Sequence, residues 1–226
     1  MKIQFLIFLF LFSSCFNKTS KIVSVNKIDK QQNQEFDKKK LDSTILKIVK
    51  YYNSKDEKEF NKLIHPNIGL YILYRNGNYD FWEKIKHLHF KKEWDDDSKI
   101  SYWLKDRIKK QIIKTDNVIH KYSNRIIECE SIKAEGLFIV DDSDLKYILS
   151  NTIKQFIRTG EVEKKWEDEL KNKLKEIKKW EHTNQRIVLT IKESGFYGNS
   201  FIFYLSNIEN NWYITIIDFI TADCSS

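Results

Sequence analysis

Three alternating runs near the C-terminal end, Gln185 to Glu193, Ser200 to Ser206 and Trp212 to Phe219, constrain the fold more than any other feature of this 226-residue chain. Alternation with a period of two sends successive side chains to opposite faces of a sheet, so each run reads as a strand. The segments between them, Ser194-Gly195-Phe196-Tyr197-Gly198-Asn199 and Asn207-Ile208-Glu209-Asn210-Asn211, are short and rich in turn residues. An antiparallel meander is the expectation. One face is read as Ile187, Leu189 and Ile191 with Phe201, Phe203, Leu205, Trp212, Ile214 and Ile216. The opposite set, Val188, Ile202, Tyr204, Tyr213 and Ile217, is also apolar, so both faces need cover, one of them from helices.

Helical patterns precede the meander. Leu41, Ile45, Ile48, Val49 and Tyr52 recur at helical spacing, and Phe60, Leu63 and Ile64 follow Asp56-Glu57, whose charges suit a helix start. His65-Pro66 ends that second helix, because the residue before proline is pushed out of the helical region. Asn67 to Arg75 then alternates into Asn76-Gly77-Asn78, a strand entering a hairpin. Asp95-Asp96-Asp97-Ser98 is a capping cluster ahead of Ile100, Trp103, Leu104, Ile108 and Ile112. Gly136 to Val140 reads as a buried strand, and Ser143 as the cap of a helix carrying Leu145, Ile148, Leu149, Ile153 and Phe156.

A longer helix carries Val162, Trp166, Leu170, Leu174, Ile177 and Trp180 in one stripe, with Glu161/Lys165, Glu167/Lys171 and Glu169/Lys173 as i,i+4 pairs outside it. Such a stripe serves either a partner in a coiled coil or the chain's own sheet. It lasts under three heptads, which favours the sheet. The fold class is therefore α+β: several helices packed on an antiparallel sheet that ends in a C-terminal three-stranded meander.

The other end of the chain carries an address. MKIQFLIFLFLFSSC places Lys2 before an apolar run from Ile3 to Phe12, broken only by Gln4, and then Ser13, Ser14 and Cys15. Ten residues of helix reach about 15 Å against a hydrocarbon core of roughly 30 Å, so the run reads as a signal and not as a permanent span. Phe12-Ser13-Ser14-Cys15 resembles the lipobox of bacterial lipoproteins, with Phe12 where Leu is commonest. The resemblance implies a signal peptide over 1–14 and a diacylglycerol on the sulfur of Cys15, with a further acyl chain on its amine, which stable anchoring requires. Phe16, in place of the Asp that retains enteric lipoproteins in the inner membrane, favours the outer membrane.

Residues 15–36 then read as the lipidated cysteine and a flexible tether, rich in Lys, Asn, Gln and Ser and without a sustained helical stripe. Residues 37–226 form a single domain. Removal of residues 1–14 takes one lysine and turns the net charge of +7 into +6, a modest excess. Its arginines, Arg75, Arg107, Arg125, Arg158 and Arg186, are scattered, whereas bidentate recognition of phosphate and bases favours clustered Arg. Nucleic acid is not an expected partner.

Lys55 to Leu70, with His65-Pro66 inside it, and the ending Asn211 to Asp218 resemble uncharacterised envelope lipoproteins of Bacteroidetes-type bacteria. They are also faintly similar to cone-shaped SnoaL-type domains, in which helices close over a curved sheet. The helical stretch near 143 to 182 departs from that compact cone, and the resemblance implies no catalytic residue.

Few residues are candidates for chemistry. His87-Leu88-His89 puts two imidazoles on one side of a strand, the start of a metal site or simply two histidines in a Lys-rich loop; with no third ligand marked, neither metal nor cofactor is expected. His120 and His182 are isolated. Asp218, among Ile216, Ile217 and Phe219, needs a raised pKa or a partner, and a structural, satisfied carboxylate is the favoured reading. His65 and Asp218 are the pocket candidates. No G-x-S-x-G, P-loop, H-E-x-x-H or dinucleotide fingerprint is found. The expected function is that of a lipid-anchored envelope protein binding an unknown protein or small molecule, with its 14% aromatic residues available to line a site. The alternative is a hydrolase-like envelope enzyme with a cone-type pocket.

Cys129 and Cys224 complete the thiols, and an oxidising envelope makes them either a disulfide or two buried free thiols. A bond between them would close a loop of about a hundred residues, worth on the order of 4 to 5 kcal/mol before strain. Their acidic neighbours Glu128, Glu130 and Asp223 oppose thiolate formation and hence a nucleophilic role. Alkylation of the folded, unreduced protein is expected to leave both unlabelled by mass spectrometry; two labelled thiols would rule the bridge out.

Overall fold

The computed structural model describes residues 19–90, 100, 102–112, 115–122, 127–128, 131–132, 134–160, 162–190 and 200–221. Cys15, Cys129, Cys224 and the 95–98 capping cluster lie outside the described residues. The chain divides into two compact units, Met1–Lys39 and Lys40–Ser226. Helix α1 (Thr19–Ser54) begins inside the segment expected to be a flexible tether. Residues 16–54 contain neither Gly nor Pro, and once a helix is nucleated each further residue adds a hydrogen bond whether or not it has an apolar stripe. In the first unit Glu35 and Lys39 pair at 2.9 Å on its exposed surface.

The second unit is built on a mixed seven-stranded sheet of order β2-β1-β9-β8-β7-β6-β3. Its strands are β1 (Leu70–Asn76), β2 (Tyr79–Ile85), β3 (Ile119–Tyr122), β6 (Gly136–Val140), β7 (Gln185–Thr190), β8 (Ser200–Ile208) and β9 (Asn211–Asp218), while β4 (Ile127–Glu128) and β5 (Ser131–Ile132) pair separately. The expected meander is β7-β8-β9, antiparallel throughout. Two parallel pairs, β1 with β9 and β3 with β6, make the sheet mixed where a purely antiparallel one was expected. Gly77 opens the β1–β2 turn at φ +61°, a conformation glycine enters without strain.

Helices cover both faces. On one, Leu41, Ile45, Ile48 and Tyr52 of α1, Phe60 of α2 (Glu57–Asn61), and Leu104 and Ile108 of α3 (Tyr102–Lys110) pack with Leu70, Ile72, Ile187, Leu189, Phe201, Phe203, Leu205, Ile214 and Ile217. On the other, Ile148, Leu149 and Ile153 of α4 (Ile148–Arg158) and Leu174, Ile177 and Trp180 of α5 (Lys164–Glu181) cover Tyr71, Leu73, Val188, Ile202, Tyr204 and Ile216.

The face reading holds for β7 and β8 and breaks inside β9. Leu205 pairs with Ile214 but Tyr204 pairs with Ile216, so Thr215 is an extra residue and the parity inverts. Ile216 therefore joins the α4/α5 side and Ile217 the α1–α3 side, the reverse of the simple alternation. Thr215 is fully buried at this bulge, and its hydroxyl meets that of Ser206 at 2.8 Å, which in turn donates to Asn184 at 2.6 Å.

Three helices also differ from expectation: α2 ends at Asn61, before the His65-Pro66 stop, and Ile64 instead bridges to Ile214. α3 ends at Lys110, which leaves Ile112 exposed. α4 starts at Ile148 and not beside Ser143, because its N-terminal donors are met from another helix: Glu181 of α5 accepts from the Ser150 backbone at 3.1 Å and from the Ser150 hydroxyl. The second half of the α5 stripe packs on the sheet, as expected, whereas Trp166 in its first half is 50% exposed. Phe203→Ala is therefore expected to lower stability by about 3 to 5 kcal/mol in urea unfolding, and Trp166→Ala by no more than about 0.5 kcal/mol.

Candidate functional site

The pocket candidates are not brought together. Asp218 ends β9, while His65 stacks edge-on against Tyr213 near its start, with ring centroids 4.9 Å apart. The five residue steps of strand from Tyr213 to Asp218 span about 17 Å.

Each candidate completes a turn. His65 Nδ1 accepts from the backbone N–H groups of Asn67 and Ile68, both at 3.3 Å, and its carbonyl accepts from Gly69 at 2.8 Å. An accepting Nδ1 fixes the neutral ring's proton on Nε2. Asp218 is 1% exposed, and its Oδ1 accepts from the backbone of Ile220 at 2.8 Å and of Thr221 at 2.9 Å, while Oδ2 accepts from the Thr221 hydroxyl at 2.5 Å. A carboxylate so occupied holds the chain's exit from the sheet.

A buried polar cluster surrounds Asp218 that sequence reading missed. Arg186, 3% exposed, and the buried Tyr204 are cross-strand partners of β7 and β8. Burial pushes the Tyr204 phenol well above its ordinary pKa, with the carboxylates of Asp218 and Asp142 adding to the shift and Arg186 opposing it. Among the described residues neither the Tyr204 hydroxyl nor Arg186 Nε has a well-aligned hydrogen bond. The phenol thus keeps its proton at neutral pH. In the sequence Arg186 looked like one more scattered cation; only its strand register could have flagged it.

The histidine pair also separates. His87 is exposed just beyond β2, and His89 turns inward so that its Nδ1 lies 2.5 Å from Glu57 Oε1. Asn61 anchors the loop between them through Leu88, accepting from its N–H at 2.8 Å and donating to its carbonyl at 3.1 Å. No group of three His, Cys, Asp or Glu that could hold a metal occurs among the described residues. His120 lies beside Phe138 at 5.6 Å, and His182 caps the end of α5, its Nδ1 3.3 Å from the Lys178 carbonyl.

The corner between α1 and α2 forms an open depression of about 470 Å³ lined by Ser54 to Lys58. Beneath it Lys55, at φ +54°, reaches inward, and its ammonium donates to the carbonyls of Ile108 at 2.9 Å and Gln111 at 2.6 Å, closing the end of α3. The same Nζ lies 4.1 Å from the centroid of Tyr52 and 5.1 Å from that of Phe90. Tyr52 stacks on Phe201 at 4.2 Å and donates to Gln111 at 3.2 Å. The aromatic residues here fill a core.

Compared with known proteins, the chain matches no family model, no curated protein and no solved structure at a significant level.

Burial pulls the Lys55 ammonium from its ordinary 10.5 down to about 8. A neutral amine keeps two N–H donors, so both carbonyl bonds survive loss of the proton. Between pH 8 and 10.5 the unfolded chain holds a proton at Lys55 that the folded chain has released, so rising pH favours folding in that window. The stability of the wild type relative to Lys55→Met is expected to increase across that range in urea unfolding; a constant difference would contradict this account of Lys55.

Proposed function

We propose that this chain is a cell-envelope protein held to a membrane by lipid on Cys15, and that its folded domain is a binding module. The observation that carries the anchor is the start of the sequence: one lysine, an apolar run too short to span, and Ser13-Ser14-Cys15 directly after it. Among the described residues no helix is long and apolar enough to cross a membrane. Phe16 directs the lipidated chain to the outer membrane.

Binding is supported over catalysis by the use made of the polar groups. The oxygens of Asp218 serve a turn, His65 Nδ1 serves another, and the two stand at opposite ends of β9. Tyr79, Tyr102, Tyr147 and Trp166 are meanwhile exposed, which leaves aromatic surface for a partner.

Mass spectrometry of protein extracted from membranes tests the anchor. A mature chain starting at an acylated Cys15 is the expected result, and Cys15→Ser is expected to release the domain into the soluble fraction. A water-soluble wild-type protein that still begins at Met1 would overturn the reading.

A further inference from the structure

We propose that the junction of β1, β2 and α5 is an anion site, formed by the ammonium groups of Lys84 and Lys173 around the ring of Tyr71, and that it takes a phosphate group. Lys84 Nζ lies 6.0 Å and Lys173 Nζ 5.9 Å from the centroid of that ring. Two like charges from distant parts of the chain thus converge on a single aromatic side chain. Several other lysines pair with carboxylates, at Glu59–Lys62, Asp106–Lys110, Glu163–Lys165 and Glu167–Lys171. Among the described residues, neither Lys84 nor Lys173 has such a partner.

Glu169, the expected i,i+4 partner of Lys173, makes no ion pair with it, although its charge acts favourably on the ammonium. Glu176, one turn further along α5, acts on the Tyr71 hydroxyl. The ring quadrupole can account for each cation singly, but the repulsion between the two remains, and an anion between them would turn that repulsion into attraction.

Lys84 is exposed, but its side chain has contacts that place it. Lys84 Nζ donates to the Asn67 carbonyl at 3.4 Å. Its stem passes over Gly69, where a Cβ would stand 3.1 Å from Lys84 Cε and 2.7 Å from the Ile85 carbonyl oxygen. Gly69, at φ +77°, therefore clears the path for this side chain as well as making the turn into β1. Lys173 is half-buried, and burial first, then the charge of Lys84, lowers its pKa. Burial raises the Tyr71 phenol to about 12, so it stays protonated at neutral pH.

Two ammonium groups suit a dianion, and Lys recognises phosphate as a point charge, without the planar fork that Arg offers a carboxylate. The ligand chemistry is thus a phosphate monoester, free in solution or on a lipid headgroup. This inference rests on the reading of the domain as a binding module and is independent of the anchor.

Titration of the purified protein with inorganic phosphate at low ionic strength, followed by lysine side-chain NMR, tests the site. Saturable shifts confined to Lys84 and Lys173, with a rise in the pKa of Lys173, are expected, while Lys62 and Lys171 stay in place. Lys84→Met and Lys173→Met, each checked for unchanged thermal unfolding, should weaken phosphate binding about tenfold. Soluble glycerol phosphate and phosphatidic acid vesicles in phosphatidylcholine form two further arms, each read as the difference between wild type and Lys173→Met. A difference with the first identifies a soluble ligand, and a difference with the second a headgroup. Equal binding by wild type and both variants, or the same shifts with chloride at matched ionic strength, would overturn the site. None of these results bears on the mass at Cys15, which decides the anchor.

Discussion

A strand buried without a break from Ser200 to Ser206 needs cover above and below, and β8 is such a strand at the centre of the sheet. Its odd-numbered side chains Phe201, Phe203 and Leu205 require α1 and α3 on one face, and Ile202 and Tyr204 require α4 and α5 on the other. The two layers differ in character. Under α1 the rings of Tyr52, Phe60, Phe90 and Phe201 contact one another at 4.2 to 6.2 Å. Under α4 and α5, aliphatic residues and the rings of Tyr71, Phe138, Trp180 and Tyr204 share the space with Arg186, Glu181, Asn184 and Asp218.

Three polar side chains share a task. Glu181 meets the first donors of α4, Lys55 meets the last carbonyls of α3, and Asp218 meets the donors just beyond β9. Each closes the end of an element with a side chain from another element or from the strand just left, which satisfies backbone groups that burial would otherwise leave without water. Burial raises the pKa of Glu181, against the hydrogen bonds from Ser150 that lower it. A carboxylate in an apolar stretch therefore marks a chain end here, where in other proteins it marks a reaction centre.

Period and turn chemistry made much of this fold legible in the sequence. The meander, the hairpin at Gly77, the short α2 capped by Asp56 and the helical face of Leu41 to Tyr52 all rest on local patterns. What was hidden depends on contacts between distant residues. The parity of β9 turned on Thr215, whose exclusion from the ladder is compensated by Ser206 and Asn184. The start of α4 turned on Glu181, 31 residues from Ser150, and no window around Ser143 contains that information. Asp218 was legible as a residue needing partners, and its partners proved to be two backbone donors and a hydroxyl within three residues. The settings of Arg186, Lys84 and Lys173 were not legible in the sequence, because a lone cation acquires meaning only through what the fold sets beside it.

The outer strands of the sheet have a bearing on crowding. β2 carries Asp80, Glu83 and Lys84, and the four-residue β3 carries His120 and Lys121, so each terminal strand of the sheet is short or studded with charge. A second copy adding its own strand to either end would have to strip water from those groups and find partners for them in the new interface. For a protein whose core strands are this apolar, such borders allow many copies to stand close together without their sheets merging into a fibre.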